Sequence, residues 1–138
     1  MAPVDPVSAI ARVVSSLPEV RLAVLFGSVA RARNRADSDL DVGVLFGRGE
    51  PRPLAALRVR LERETGRVVD LIDLASAPPL LRMEIGRHGR VLLEREAGEW
   101  ALFRAHAMID WWDWAPTARM MRETAARRLR EEAARGEP

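Results

Sequence analysis

The chain of 138 residues contains no cysteine, no lysine and no tyrosine. Without cysteine there is no disulfide framework, no thiolate nucleophile and no thiolate metal site. Without lysine or tyrosine, neither side chain can serve as a covalent or acid–base catalyst. Aromatic residues make up only 5%. No apolar run approaches the ~20 residues that a membrane span needs. The opening stretch "MAPVDPVSAI" has no basic region followed by a long apolar one, so no signal peptide is read and a cytoplasmic location is expected. Charge of one sign is not in excess either: 22 basic residues face 20 acidic ones, for a net +2. The pI near 10.7 follows from every basic residue being Arg, which stays protonated to very high pH. A dedicated nucleic-acid binder carries a larger, clustered excess, so nucleic acid is not expected as a partner.

The composition is that of an ordinary globular domain, 48% apolar and 30% charged, at a length that suits one core. Strand-like and helix-like stretches alternate. Asp5 or Ser8 can cap a first helix, with Ile10, Val13, Val14 and Leu17 at helical spacing. "VRLAVLFGS" is a buried strand breaking at Gly27, and "SDLDVGVLF" is a second strand. "LAALRVRLERETG" (54–66) is amphipathic with Gly66 as its stop. "RVVDLIDL" (67–74) is a third strand, "PPLLRMEIGRHG" (78–89) a short helix, and "RVLLERE" (90–96) a fourth strand. From Gly98 to Arg135 the pattern is helical, with a break expected near Pro116. "EEAARGEP" at the end reads as prone to disorder. Alternating strands and helices predict an α/β (α+β) domain.

"SDLD" sets Asp39 and Asp41 on one face of the second strand, because residues two apart point the same way. Two neighbouring carboxylates repel each other and resist burial, which a core has no use for. A hard divalent cation does, since Mg²⁺ takes oxygen ligands from a few carboxylates plus phosphates. Asp70, in the apolar "VVDLIDL", is a candidate third ligand if its strand neighbours the second. Asp73 faces the other way and reads as a strand-end or surface residue. At the end of the first strand, Gly27 lets a ligand approach the backbone. Ser28 and freed N–H groups can then hold phosphate oxygens, and one of Arg31, Arg33 and Arg35 can meet the same phosphates. Each piece alone is better read as a turn or a strand end. The conjunction is more specific than any piece.

Gly27-Ser28, a spacer, Asp39-x-Asp41 and the later strand residue Asp70 resemble the signature of the polymerase-β-like nucleotidyltransferase superfamily, most closely its minimal nucleotidyltransferase branch. The resemblance covers roughly residues 8 to 115. It implies a nucleotidyltransferase fold, with a mixed sheet of about four strands flanked by helices and a C-terminal helical segment. Residues 1–115 are then the transferase domain, and 116–138 a helix and tail packed on it or extending from it. It also implies two Mg²⁺ ions held by Asp39, Asp41 and Asp70 as the catalytic and metal-binding set. Gly27, Ser28 and Arg31 are the nucleotide-binding set, and ATP is the substrate. Many members continue Gly-Ser-x-Ala-Arg-Gly; here Ala32 stands where the last glycine would be.

In that branch the partner is commonly a helical toxin, which the transferase neutralises by adding AMP to a tyrosine. The expectation is therefore an antitoxin-type protein adenylyltransferase. The alternatives are an antitoxin that masks its partner by binding alone, and transfer to a small molecule such as an aminoglycoside. Arg82 and His88 match the Arg-x₄₋₆-His spacing of the helical ribonucleases paired with this branch. In a chain with 22 arginines such a match is expected by chance. His106 reads as a packing or surface histidine. Trp100 and Phe103 are expected to seal the core. Trp111, Trp112 and Trp114 cannot share one helix face, so at least one should be exposed or at an interface.

Overall fold

The computed structural model describes residues 5–27, 39–49 and 53–136. Helix α1 (Pro6–Ser15) starts at Asp5, which accepts from Val7 N–H at 3.3 Å and from the Ser8 hydroxyl at 2.8 Å. Asp5 is therefore the cap and Ser8 supports it. Strands β1 (Val20–Phe26) and β2 (Leu40–Phe46) follow, then α2 (Leu54–Thr65). Gly66 closes α2 at φ 68°, a left-handed turn that suits glycine. Next come β3 (Val69–Asp73), α3 (Pro79–His88), β4 (Arg90–Glu94) and α4 (Glu99–Ala134).

The four strands form one mixed sheet in the order β3-β2-β1-β4. β1 pairs antiparallel with β2 and β4, and β2 pairs parallel with β3. The parallel pair needs a crossover, and α2 supplies it. Helices cover both faces. Ile10, Val14, Leu25, Val42, Leu57 and Leu61 fill one core; Leu22, Val24, Leu74, Ile85 and Phe103 fill the other. Double coverage is why β1, a central strand, reads as a continuous apolar run. The expected mixed four-stranded fold is what the chain adopts.

Three expectations need correction. Helix α4 does not break at Pro116; it runs 36 residues through it. The proline leaves the Trp112 carbonyl without its N–H partner, but the flanks are rich in Ala, Arg, Met and Glu, all strong helix formers. Those flanks also carry the helix to Ala134, into the stretch read as disorder-prone. The third is corrected only in part: Asp73 ends β3 as expected, but it is not a surface residue. Asp73 is buried, 8% exposed, and its carboxylate accepts from Ala75 N–H at 3.0 Å. Asp70 is the exposed one. β3 is an edge strand, so its start lies open while its end is folded under the turn into α3.

Arg95 was not singled out by any sequence pattern, yet it ties the N-terminal half together. Its guanidinium donates to the carbonyls of Val20 (2.9 Å), Ser15 (3.0 Å), Leu17 (2.7 Å) and Val14 (3.2 Å). These include carbonyls of the last turn of α1, where intrahelical partners run out. Arg95→Ala is expected to cost about 1–2 kcal/mol of stability by urea denaturation. A loss below about 0.5 kcal/mol would mean that water replaces the clamp at no cost.

Candidate active site

The register of the sheet brings the acidic residues together. Asp41 lies opposite Phe26 on β1 and opposite Asp70 on β3. Paired residues in adjacent strands share a face, so the two carboxylates emerge side by side where β1 ends and β2 and β3 begin. Asp39 is exposed, one residue before β2. Asp41 is half-buried, and its carboxyl is pushed above the ordinary aspartate range, first by burial and then by the charges of Asp70 and Asp39. Among the described residues, no hydrogen bond or ion pair compensates any of the three.

Gly27 closes the site from the side of β1. Its φ is 75°, and a Cβ built on it collides with Asp41 Oδ2 and comes within 3.0 Å of Asp41 Cγ. Only glycine fits both the backbone conformation and the space against that carboxylate. Ser28, Arg31 and Ala32 lie outside the described residues, as do Arg33 and Arg35.

Among the described residues no three acids, histidines or cysteines are already gathered tightly enough to hold a metal ion. The trio stands as neighbours rather than as a closed cage. Its chemistry nevertheless fits a hard cation: oxygen donors only, one of them half-buried, with like charges unopposed among the described residues. The raised Asp41 pKa gives a pH signature. The folded state holds this proton more tightly than the unfolded chain, so ionising Asp41 weakens the fold. Without divalent cation, this contribution is expected to lower stability as pH rises from about 4 through the raised value, and to stay lost above it. Asp41→Asn should flatten that part of the profile, which urea melts at a series of pH values would test.

The Arg82–His88 pair is divided. Six residues on a helix leave the two side chains about 120° apart. Arg82 meets Asp110 of α4 at 2.5 Å and lies over the Phe103 ring at 5.6 Å, while His88 sits beside Glu84 at 3.9 Å. Arg82 is thus a brace between α3 and α4. Trp100 and Phe103 stack at 5.7 Å against the core as expected. His106 is exposed, and so are Trp112 and Trp114. A cavity of about 820 Å³ lies away from the carboxylates, lined by Arg21, Leu45 and Glu99 among others. Leu45 is four residues along β2 from Asp41, roughly 13 Å. Arg21 there is already held by Glu99 at 2.6 Å and Glu96 at 3.2 Å.

The fold has close counterparts. A chain in the crystal structure of a toxin–antitoxin with AMP-PNP superposes with a TM-score of 0.75 at 22% identity, covering 86% of this chain and 98% of that one. A chain in the structure of a tri-AMPylated Shewanella oneidensis HEPN toxin in complex with MNT antitoxin gives 0.70 at 21% identity, with 87% and 96% covered. In sequence, the protein adenylyltransferase MntA of Aphanizomenon flos-aquae is 26% identical over 110 residues, 72% of this chain and 73% of that protein. A Methanocaldococcus jannaschii protein, named only provisionally as a protein adenylyltransferase, is 39% identical over 67 residues, 48% of this chain and 72% of that one. The model of the polymerase beta nucleotidyltransferase family matches residues 8–97, a span that takes in Gly27 and all three aspartates. With the signature and the mixed sheet in agreement with that match, the chain belongs to the polymerase beta nucleotidyltransferase family.

Proposed function

We propose that this protein is an antitoxin-type adenylyltransferase, moving AMP from ATP to a hydroxyl of a helical toxin partner in the cytoplasm. The observation that carries the reading is the Asp41–Asp70 register pair beside Gly27. It stands in a chain whose relatives are named protein adenylyltransferases. Residues 1–115 are taken as the transferase unit and 116–138 as its helical extension. Asp39, Asp41 and Asp70 would hold two Mg²⁺ ions, which when bound neutralise phosphate charge and clamp the entering and leaving oxygens.

The chain's own residues do the rest. Gly27, lacking a side chain, lets the Asp41 carboxylate stand against the end of β1, where the triphosphate would sit. Ser28 and Arg31 hold phosphate oxygens. The acceptor hydroxyl oxygen attacks the α-phosphorus, and the bond from that phosphorus to the bridging oxygen of the β-phosphate breaks. Pyrophosphate leaves with that electron pair. The hydroxyl proton passes to Asp70, which as the exposed member of the strand pair can hand it on to water.

Tyrosine is the acceptor side chain that this reading favours. The chain has none, so it cannot be its own tyrosine acceptor. Incubating the chain with its toxin partner, ATP and Mg²⁺ should give a partner heavier by one or more AMP groups in intact-mass spectra, placed on tyrosine by peptide mapping. An unchanged partner mass under conditions where ATP is bound would overturn the reading.

A further inference from the structure

Among the described residues, helix α4 is anchored only at its start. Phe103 and Ala107 are its buried residues, and the Arg82–Asp110 pair is its last side-chain bond to the body among the described residues. From Asp110 to Ala134 the helix continues for about 36 Å with no further such bond. The stripe that packs inside the domain does not stop there. At 100° per residue, Phe103 and Ala107 fall on the same face as Trp114, Ala118, Met121, Ala125 and Leu129. Met121 is 58% exposed and Leu129 66%. An internal packing seam therefore runs off the domain with large and small apolar residues alternating, which is the surface that another helix fills.

Charge tells which helix. Between Thr117 and Arg135 there are six arginines and three glutamates, while the rest of the chain is near balance. Arg122 and Arg128 border the stripe on its two sides. A second copy of this helix would bring arginine against arginine across such a seam, which disfavours self-pairing. An acidic helix would pair with both borders.

We infer that the outer part of α4, from Trp111 to Leu129, docks a helix of a partner protein whose flanking positions are acidic. This deepens the proposed function by stating where and by what chemistry the acceptor protein is held. Its test needs neither ATP nor transfer, so the two readings fail separately. The probe is a synthetic, tryptophan-free four-heptad helical peptide with Leu and Ala along its seam and Glu at the flanking positions. A matched peptide carries Arg in place of Glu. Each is titrated against the intact chain by anisotropy and by tryptophan emission, with a single-stranded RNA oligomer and sedimentation of the chain alone in parallel.

The acidic peptide should bind, shift tryptophan emission to the blue, and weaken at least about tenfold between about 0.05 and 0.5 M salt. The arginine peptide should bind at least about tenfold more weakly. Met121→Glu with Leu129→Glu, both on the exposed surface, should abolish binding with melting temperature unchanged. Arg122→Glu with Arg128→Glu should reverse the preference between the peptides. Failure of the acidic peptide to bind, or equal binding of both peptides, overturns the inference. So does RNA binding tighter than the acidic peptide, which would make the helix a nucleic-acid surface. A dimer of the chain that Met121→Glu with Leu129→Glu dissociates would make the occupant a second copy, and would overturn it as well.

Discussion

Asp39→Asn combined with Asp41→Asn is expected to abolish nucleotide transfer while leaving the fold as stable as before, or more so. In the metal-free protein, Asp41 stands half-buried beside two other carboxylates, and among the described residues no cation compensates it. Amides in place of two of the three charges relieve that repulsion. The melting temperature without divalent cation should stay level or rise by up to about 3 °C. Transfer should fall on the order of 10³-fold or more, since several kcal/mol of charge stabilisation in the transition state are lost. The two readouts moving in opposite directions identify a functional site. A clear drop in melting temperature would instead make these aspartates part of the structural frame.

Gly27→Ala should damage activity and stability together, for a reason that no count of charges reveals. The backbone at Gly27 is left-handed, with φ at 75°, and the added methyl would strike the Asp41 carboxylate. The conformation alone costs about 1–2 kcal/mol for a residue with a Cβ. Either Gly27 or Asp41 must shift, and a displacement near 1 Å in a reacting centre costs on the order of 10²-fold in rate. Circular dichroism melts and transfer assays on Gly27→Ala would check both. If the variant kept full activity with only a stability loss, the contact between Gly27 and Asp41 would not matter to the chemistry.

Much of this site is legible in the sequence because β-strand periodicity is rigid. Once "SDLD" opens a strand, Asp39 and Asp41 are committed to one side, and Leu40 and Val42 to the core. That Asp70 sits opposite Asp41 is not legible from the chain alone. It depends on the parallel register of β2 and β3, set by how α2 packs back across the sheet. The same limit explains Asp70 and Asp73: both lie in one apolar stretch, and only the edge position of β3 leaves the first open and the second buried. Arg95 is one arginine among 22, with nothing local to mark it; its carbonyl partners lie about 80 residues back along the chain. Pro116 carries a real local signal for a break, and that signal is outweighed by the helix-forming residues on both sides.

A titration of the toxin partner with limiting amounts of this protein separates catalysis from masking in one experiment. With ATP and Mg²⁺ present, one molecule should neutralise many molecules of toxin, and AMP on the toxin should accumulate well beyond the amount of protein added. Without ATP, or with the Asp39→Asn and Asp41→Asn variant, that excess should vanish. Neutralisation that needs equal amounts of the two proteins, proceeds without nucleotide and survives the double substitution would contradict the catalytic account and leave binding alone as the protein's action.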